Sequence, residues 1–363
     1  MLSIIGGPQA ISAAVYASAN TSEEVGILSP SLPHEELPGM RVENLENPVR
    51  LRHGVLPETT HFVVISDSTK LKEVIFAHRQ QIAGRKLLLA PGGFAGVLRV
   101  RAWFEKWGLA APEVGEVTAF ITGGKRDSAA SQFRLGAVKR DLPIAAATAA
   151  VTRELHAEFG RYFPNLAQSD LVTTTLSNAN HMIHPAVVLL NAARIDNGEP
   201  FLFYREGLSP ATVRFMEALD TERLELVKAL GGETLTLQEW MLRYYEGEGM
   251  RGETLLECLQ TFSGFAGSAA PTTLRHRYLE DDVWFGLAQY LSLARQRGTG
   301  FEHLQSAATA TTILCPRIES ADDDEPWQLL SDYLGGRERN RHFGSTRVPG
   351  EQPDSGNATE TGT

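Results

Sequence analysis

An apolar run, Leu2-Ser3-Ile4-Ile5, breaks at Gly6-Gly7-Pro8 and opens into an Ala-rich stretch from Gln9 to Ser18. That is strand, tight turn, helix, and it begins an alternation that constrains the fold more than any other feature of the chain. Val25-Gly26-Ile27-Leu28 is a second apolar run, ending at Ser29-Pro30-Ser31. His61 to Ser66 reads as a buried strand, and 69–83 as a helix with Leu71, Val74, Ile75 and Ile82 on its apolar side. Lys86 to Ala90 is another strand, stopped by Pro91-Gly92-Gly93, with a helix expected over 94–108. Strands alternating with helices make βαβ units and a parallel sheet. The expected class is therefore α/β, with a Rossmann-type dinucleotide-binding domain over 1–165.

Beyond 165 the texture becomes helical: 186–196, 210–230, 237–246, 252–262, 283–297 and 302–312 all carry helical spacing. The second of these is well punctuated. Ser209 can cap it, Pro210 suits its first turn, and Gly231 stops it. An all-helical C-terminal domain is expected over 166–342. Residues 319–325 read as a solvated acidic loop. The polar tail over 343–363, entered through Arg337, Arg339 and Arg341 and containing Arg347, is expected to be disordered.

Composition narrows the function classes. A formal net charge of -10 repels phosphate backbones, so nucleic acid is not an expected partner. Two cysteines, Cys258 and Cys315, can build neither a disulfide framework nor a CxxC zinc site, which fits a reducing compartment. No apolar run reaches the ~18–20 residues that span a bilayer, and the N-terminus lacks a basic region before its apolar run. The expectation is a cytoplasmic protein with no membrane contact and no metal.

Dinucleotide folds place glycines after the first strand, where backbone approaches pyrophosphate and a helix N-terminus points at it. Here the stretch Gly6-Gly7-Pro8-Gln9-Ala10 is shortened relative to GxGxxA. Pro8 is tolerated in a first helical turn, and Ala10 sits where close helix–strand packing wants a small residue. A Gly-rich turn without a ligand is the plain alternative. The second strand ends in Ser29, with no carboxylate to hold ribose hydroxyls, which favours NADP over NAD.

Two further segments carry chemistry. In Asn180-His181-Met182-Ile183-His184-Pro185, Pro185 is expected to start a helix and His184 to cap it, a position that disfavours the imidazolium. Such a histidine can exchange a proton with a carbonyl or imine, while Asn180 can hold a carbonyl or the nicotinamide amide. The alternative is a helix cap with no further role. In Arg277-Tyr278-Leu279-Glu280-Asp281-Asp282-Val283, Arg277 can grip a substrate carboxylate and an acid can orient His184, or the acids simply decorate a helix N-terminus. Periodicity does not bring 184 and 282 together.

Taken together and in order, these segments resemble the opine dehydrogenases, the octopine and nopaline dehydrogenase group, over roughly residues 1–335. Ala90-Pro91-Gly92-Gly93-Phe94-Ala95-Gly96 resembles the family's Pro-Gly stretch, and Glu116 lies in a segment similar to one that reaches the substrate. Asn180-x-x-x-His184-Pro185, Asp220-Thr221-Glu222-Arg223 and Arg277-Tyr278 to Val283 resemble its later motifs. The resemblance implies an NAD(P)-dependent enzyme that condenses an amino acid amine with a 2-oxo acid and reduces the imine. It implies His184 as acid/base, Asp282 as its carboxylate partner, Arg277 and Glu116 at the substrate, and Asn180 positioning reactants. A homodimer is compatible with it. The shortened glycine turn resembles that of opine-metallophore synthases, and 116–126 departs from the family pattern. A two-domain reductase of a small oxo or hydroxy acid, and a catalytically lapsed cofactor-binding protein, are the competing readings.

Overall fold

A computed structural model describes residues 1–32, 41–43, 45, 49–127, 132–317 and 325–345. The N-terminal half runs β1 (Leu2–Gly6), α1 (Pro8–Ala19), β2 (Val25–Leu28), β3 (Arg41–Val42), β4 (Leu51–His53), β5 (His61–Ile65), α2 (Ser68–Ala77), α3 (Arg79–Ile82), β6 (Lys86–Leu89), α4 (Gly96–Lys106), β7 (Glu113–Val117), β8 (Thr122–Asp127), β9 (Gln132–Val138), β10 (Leu142–Ala146), α5 (Ala149–Gly160) and β11 (Leu166–Gln168). Eight strands form one sheet in the order β11-β10-β7-β6-β5-β1-β2-β4, parallel throughout except where β10 meets β7.

Why the strands read as unbroken apolar runs is clear from their neighbours. Leu2, Ile4, Val63 and Leu88 face the larger core, while Ile5, Phe62, Val64, Leu87 and Leu89 face Leu71, Ile75, Val100 and Trp103 on the other side. A sheet covered on both faces has no polar face to alternate with. The chain leaves β1 toward β2 and β4, then returns to place β5 on β1's other edge. The order reverses there, and the crevice beyond the C-terminal ends of β1 and β5 is where such sheets bind ligands.

The alternation does not announce a second sheet of three strands, β3-β9-β8, which packs on α1. Gly124 serves close packing there: a Cβ on it would run into Phe133 and Ser12.

The helical half comprises α6 (Leu171–Leu176), α7 (Asn180–Leu190), α8 (Ala192–Asp196), α9 (Pro210–Ala229), α10 (Leu237–Tyr245), α11 (Leu255–Thr261), α12 (Arg277–Glu280), a π-helical turn Val283–Leu287, α13 (Ala288–Gln296), α14 (Glu302–Leu314) and α15 (Pro326–Ser345). Ser209 caps α9 as expected, accepting from the Thr212 N–H at 3.2 Å. The Asp-x-Glu-Arg segment of α9 is a clamp. Arg223, almost fully buried, pairs with Asp220 and also donates to the carbonyls of Leu176 and Leu235. Asp220 accepts from the Leu237 N–H, so one ion pair ties α6, α9 and α10. Glu222 accepts from the N–H groups of His303 and Leu304 at the start of α14.

The ends of the expected domains differ from the observed elements. β11 still belongs to the sheet although it lies past 165. Helix α15 extends to Ser345, beyond the expected boundary at 342, and packs on both α13 and α4. The rest of the expected disordered tail, 346–363, and nearly all of the acidic loop, 319–324, lie outside the described residues.

Candidate active site between the sheet and the helical half

The shortened glycine turn forms the wall of a cleft of about 430 Å³ at the sheet's switch point. Gly6 has φ +154, and a Cβ there would collide with the Ile65 carbonyl, so only glycine lets β1 turn this close to β5. Gly7 has nothing within 4 Å of where its Cβ would stand, and that open space faces the cleft. Pro8 opens α1 at a position that needs no N–H, and Ala10 is fully buried against the sheet. Leu28, Pro30, Ser66, Asp67, Lys70 and Phe120 complete the walls. The Ser29 hydroxyl does not face this space. It donates to the Gly7 carbonyl at 3.2 Å and accepts from the Ser31 N–H at 3.3 Å, tying the end of β2 to the glycine turn. Residues 33–40, where a group reading a 2′-phosphate would follow, lie outside the described residues. A cleft at this crevice, with bare glycine backbone and a helix N-terminus, suits a dinucleotide pyrophosphate.

His184 and Asp282, 98 residues apart, meet at 2.8 Å between Nδ1 and Oδ2, both nearly fully buried. Burial pushes the Asp282 carboxyl up, but the His184 ring bonded to it, with His181 and Arg277 nearby, together hold it below the ordinary carboxylate range. An ionised Asp282 can only accept, so Nδ1 of His184 carries the proton and Nε2 is its free nitrogen. Nε2 lies 3.4 Å from the Tyr204 hydroxyl. Tyr278 stacks on the imidazole at 3.9 Å between centroids, and Phe203 meets it edge-on. Asn180 lies one helical turn before His184, on the same face of α7.

The expectation that Pro185 starts the helix and His184 caps it is overturned. Helix α7 begins at Asn180 and carries Pro185 inside it. The Pro costs one backbone hydrogen bond, and the helix survives because His181, Met182 and Ile183 already bond to Asn178 and Ala179. His184 is therefore an interior residue, and the helix-terminus argument does not apply to it. Its partner is Asp282 instead.

A second histidine shares the site. His181 lies 3.9 Å from Asp282 Oδ1, but burial pushes its imidazole down to about 4, so at neutral pH it is uncharged and too distant to bond. Its Nε2 accepts from the Asn178 amide at 3.0 Å, which leaves Nδ1–H to donate to Tyr290 at 2.8 Å. Gly286 makes this possible, since a Cβ there would meet the His181 ring.

Arg277 and Asp281 join the two halves of the molecule. Arg277 Nε stands 3.0 Å from Asp67 Oδ1, a close ion pair without hydrogen-bond alignment. Asp67 occupies the N-cap of α2 yet makes no cap bond, because its carboxylate turns to Arg277. Asp281 takes over that task from across the interface, accepting from the Thr69 N–H at 3.0 Å. Burial, with Asp282 and Asp67 nearby, pushes the Asp281 carboxyl up to about 7. The segment carrying Asp282 thus rests on the lip of the glycine cleft.

Glu116 stands apart. It is 0% exposed in β7, and Oε2 accepts from the Val97 N–H at 3.0 Å. Oε1 accepts from the hydroxyls of Thr174 and Thr175. Burial outweighs these donors and pushes its carboxyl up to about 7. The Pro-Gly stretch exists to admit it: a Cβ on Gly92 would overlap the Glu116 side chain. In this geometry Glu116 braces α4 and α6 rather than reaching a substrate.

Tyr204, Tyr278, Asp67 and Thr69 were not singled out by the sequence as site residues. Asp67 alone had a usable signal, since it follows β5 at the crevice where the strand order reverses.

Comparison with known proteins agrees with this architecture. Residues 167–309 match the alpha-helical domain of the NAD/NADP octopine/nopaline dehydrogenases. An opine dehydrogenase from Arthrobacter sp. (strain 1C) is 30% identical over 213 residues, covering 58% of this chain and 58% of that protein. The chain thus matches little more than half the length of this relative, and the shares are smaller in the others. Among solved structures, an octopine dehydrogenase in complex with NADH and agmatine superimposes with TM-score 0.66 at 14% identity, over 97% of this chain and 100% of that one. An NADP+-bound yersinopine dehydrogenase gives 0.65 at 16% identity, over 92% and 98%. Residues 167–309 are thus similar to the helical domain of the octopine/nopaline dehydrogenases, and His184 and Asp282 pair where this region meets the Rossmann-type sheet.

Proposed function

We propose that the protein is an NAD(P)H-dependent opine-type dehydrogenase, joining the amine of an amino acid to a 2-oxo acid through an imine and reducing that imine to a secondary amine. The observation that carries this is the His184–Asp282 pair docked, through Arg277 and Asp281, on the lip of the glycine cleft. The relatives' names and the nucleotides in the two solved structures point the same way.

Gly6, Gly7 and the start of α1 would hold the pyrophosphate, and the nucleotide, when bound, supplies the hydride. The chain's own work is proton transfer and positioning. Amine addition to the oxo acid gives a carbinolamine, whose hydroxyl must leave as water. A protonated His184 gives Nε2–H to that oxygen, and Asp282 stabilises the imidazolium that precedes the transfer. Loss of that water leaves an iminium, and reduction of its C=N bond then consumes the hydride, so one proton and one hydride are used in all. Arg277 would hold a substrate carboxylate while anchored by Asp67, and Asn180 would align a reactant on the same helix face as His184. Aromatic rings around His184 keep water from the imine.

No helix among the described residues is long and apolar enough to cross a membrane. A cytoplasmic setting fits the two buried free thiols, Cys258 and Cys315. Substrates are small molecules, and size-exclusion chromatography with light scattering tests the proposed homodimer. The functional test is a screen of 2-oxo acids against amino acids with NADPH and with NADH. Nucleotide oxidation that needs both partners supports the reading. Oxidation with the oxo acid alone replaces it with a simple oxo-acid reductase. Failure to bind either nucleotide removes it.

A further inference from the structure

Two histidines of α7 each meet a tyrosine, and the two pairs differ in length. His181 donates from Nδ1–H to the Tyr290 hydroxyl at 2.8 Å, and its Nε2 accepts from Asn178 at 3.0 Å. Both nitrogens are committed, so this imidazole holds the fold and exchanges no proton. His184 is held as firmly on one side only, by Asp282 at 2.8 Å from Nδ1. On its other side the Tyr204 hydroxyl stands 3.4 Å from Nε2. With the proton on Nδ1, Nε2 is an acceptor, so the hydroxyl is the donor. A bond of that length is weak beside one of 2.8 Å.

The surroundings of Tyr204 fix where that hydroxyl points. The residue lies between α8 and α9, in a stretch held by the Phe203 N–H, which donates to the Ser268 carbonyl at 2.8 Å, and by a bridge between Leu202 and Ala269. Its ring stacks on Phe265 at 4.4 Å and meets Phe203 edge-on at 4.9 Å. Both neighbours are phenylalanines, so an apolar ring suits this cluster. A buried hydroxyl costs free energy unless it is bonded. Among the described residues, the hydrogen-bond partner of the Tyr204 hydroxyl is His184 Nε2. Burial holds the phenol well above its ordinary value, so the oxygen keeps its proton at any pH where the imidazole titrates.

We propose that Tyr204 is a positioning residue: its hydroxyl donates to His184 Nε2, keeps the imidazole aimed, and yields that nitrogen to the substrate oxygen. This rests on the reading of His184 as proton donor given above. The asymmetry suits a nitrogen that must exchange a proton, since the ring is anchored at Nδ1 and only loosely met at Nε2. When Nε2 is protonated the same hydroxyl can accept from it, because an O–H both donates and accepts. Without the hydroxyl, the ring keeps Asp282 and the stack on Tyr278 but loses the contact that fixes where Nε2 points. Tyr204 keeps its own proton throughout.

The test compares Tyr204→Phe with wild type in the full-length protein, and uses Tyr245→Phe as control. Tyr245 lies beyond Phe265 in the same row of rings, so its loss perturbs the packing without touching His184. The first readout needs no substrate. Nitrogen NMR of labelled protein in alkaline buffer, with the His184 signals identified by their absence in His184→Gln, reports the bond at Nε2. Tyr204→Phe is expected to move that Nε2 signal downfield, to where an imidazole nitrogen without a donor lies, and to leave Nδ1 in place. Tyr245→Phe leaves both signals unmoved. In turnover, Tyr204→Phe lowers kcat by about 10-fold, with both KM values, nucleotide affinity and Tm unchanged. Tyr245→Phe keeps wild-type kcat. An Nε2 signal indifferent to Tyr204→Phe overturns the proposal. So does an unchanged kcat, or an equal loss in Tyr245→Phe, which would trace the effect to ring packing. If the Nε2 signal moves as expected but wild type turns over no pair of substrates, the hold of Tyr204 on His184 stands and the dehydrogenase reading falls.

Discussion

Glu116 in the sheet and Asp282 in the helical half are both carboxylates with almost no exposed surface, 0% and 1%. Their neighbours set them apart. Glu116 meets backbone N–H groups and two threonine hydroxyls, and nothing beside it can take a proton to new chemistry. Asp282 meets a histidine whose other nitrogen is free to exchange one. Burial raises both carboxyls, and only the one facing an imidazole is pulled back below the ordinary range. The lesson is that burial alone does not mark a functional acid; the chemistry of the partner does.

The sharpest way to break this contrast is at His184 and Asp282. His184→Gln is expected to lower kcat by roughly 100- to 10,000-fold, with nucleotide affinity, read by fluorescence titration, unchanged. Asp282→Asn is expected to lose about 100-fold or more in kcat, because an amide favours the wrong imidazole tautomer. Glu116→Gln, in contrast, should stay within about threefold of wild type in kcat, since its neighbours are held through hydrogen bonds an amide can largely replace. A large loss of kcat in a folded Glu116→Gln protein would return Glu116 to the active site.

Stability against pH sharpens the same comparison. The folded Glu116 carboxyl is raised from 4.5 to about 7, so its favourable contribution is complete below about 4.5 and is lost as pH rises through about 7. Relative to Glu116→Gln, wild type should lose up to about 3 kcal/mol across that window by denaturant titration, at 1.36 kcal/mol per unit. Asp282 has the opposite sign. Its folded value is depressed, so its contribution is present above about 3.8 and fades as pH falls. A flat difference between pH 4.5 and 7 would mean that Glu116 is ionised in the fold. The smallest effect expected is a control remote from either carboxylate: Ser209→Ala removes the cap of α9 and should cost about 1 kcal/mol without changing kcat.

The sheet was legible because its signals are local. Each buried strand is a run of apolar residues bounded by Gly or Pro, and Gly6 announces a turn that only glycine makes. Helix α9 was legible for the same reason, with cap, Pro and stop in place. The start of α7 was misread because Pro185 is a strong local stop, outvoted by the burial of Met182, Ile183 and His184 in a continuous helix. The His184–Asp282 pair was reached only through a family resemblance, since no periodicity joins residues 98 apart. The Asp67–Arg277 and Thr69–Asp281 contacts across the two halves exist only once the chain has folded.

The most direct test of the account measures NADPH and NADH oxidation by wild type and His184→Gln, with 2-oxo acid and amino acid supplied separately and together. The account predicts oxidation by wild type only when both are present, and its loss in a variant that still binds nucleotide. Equal rates in the two proteins, or a wild-type rate indifferent to the amino acid, would contradict it.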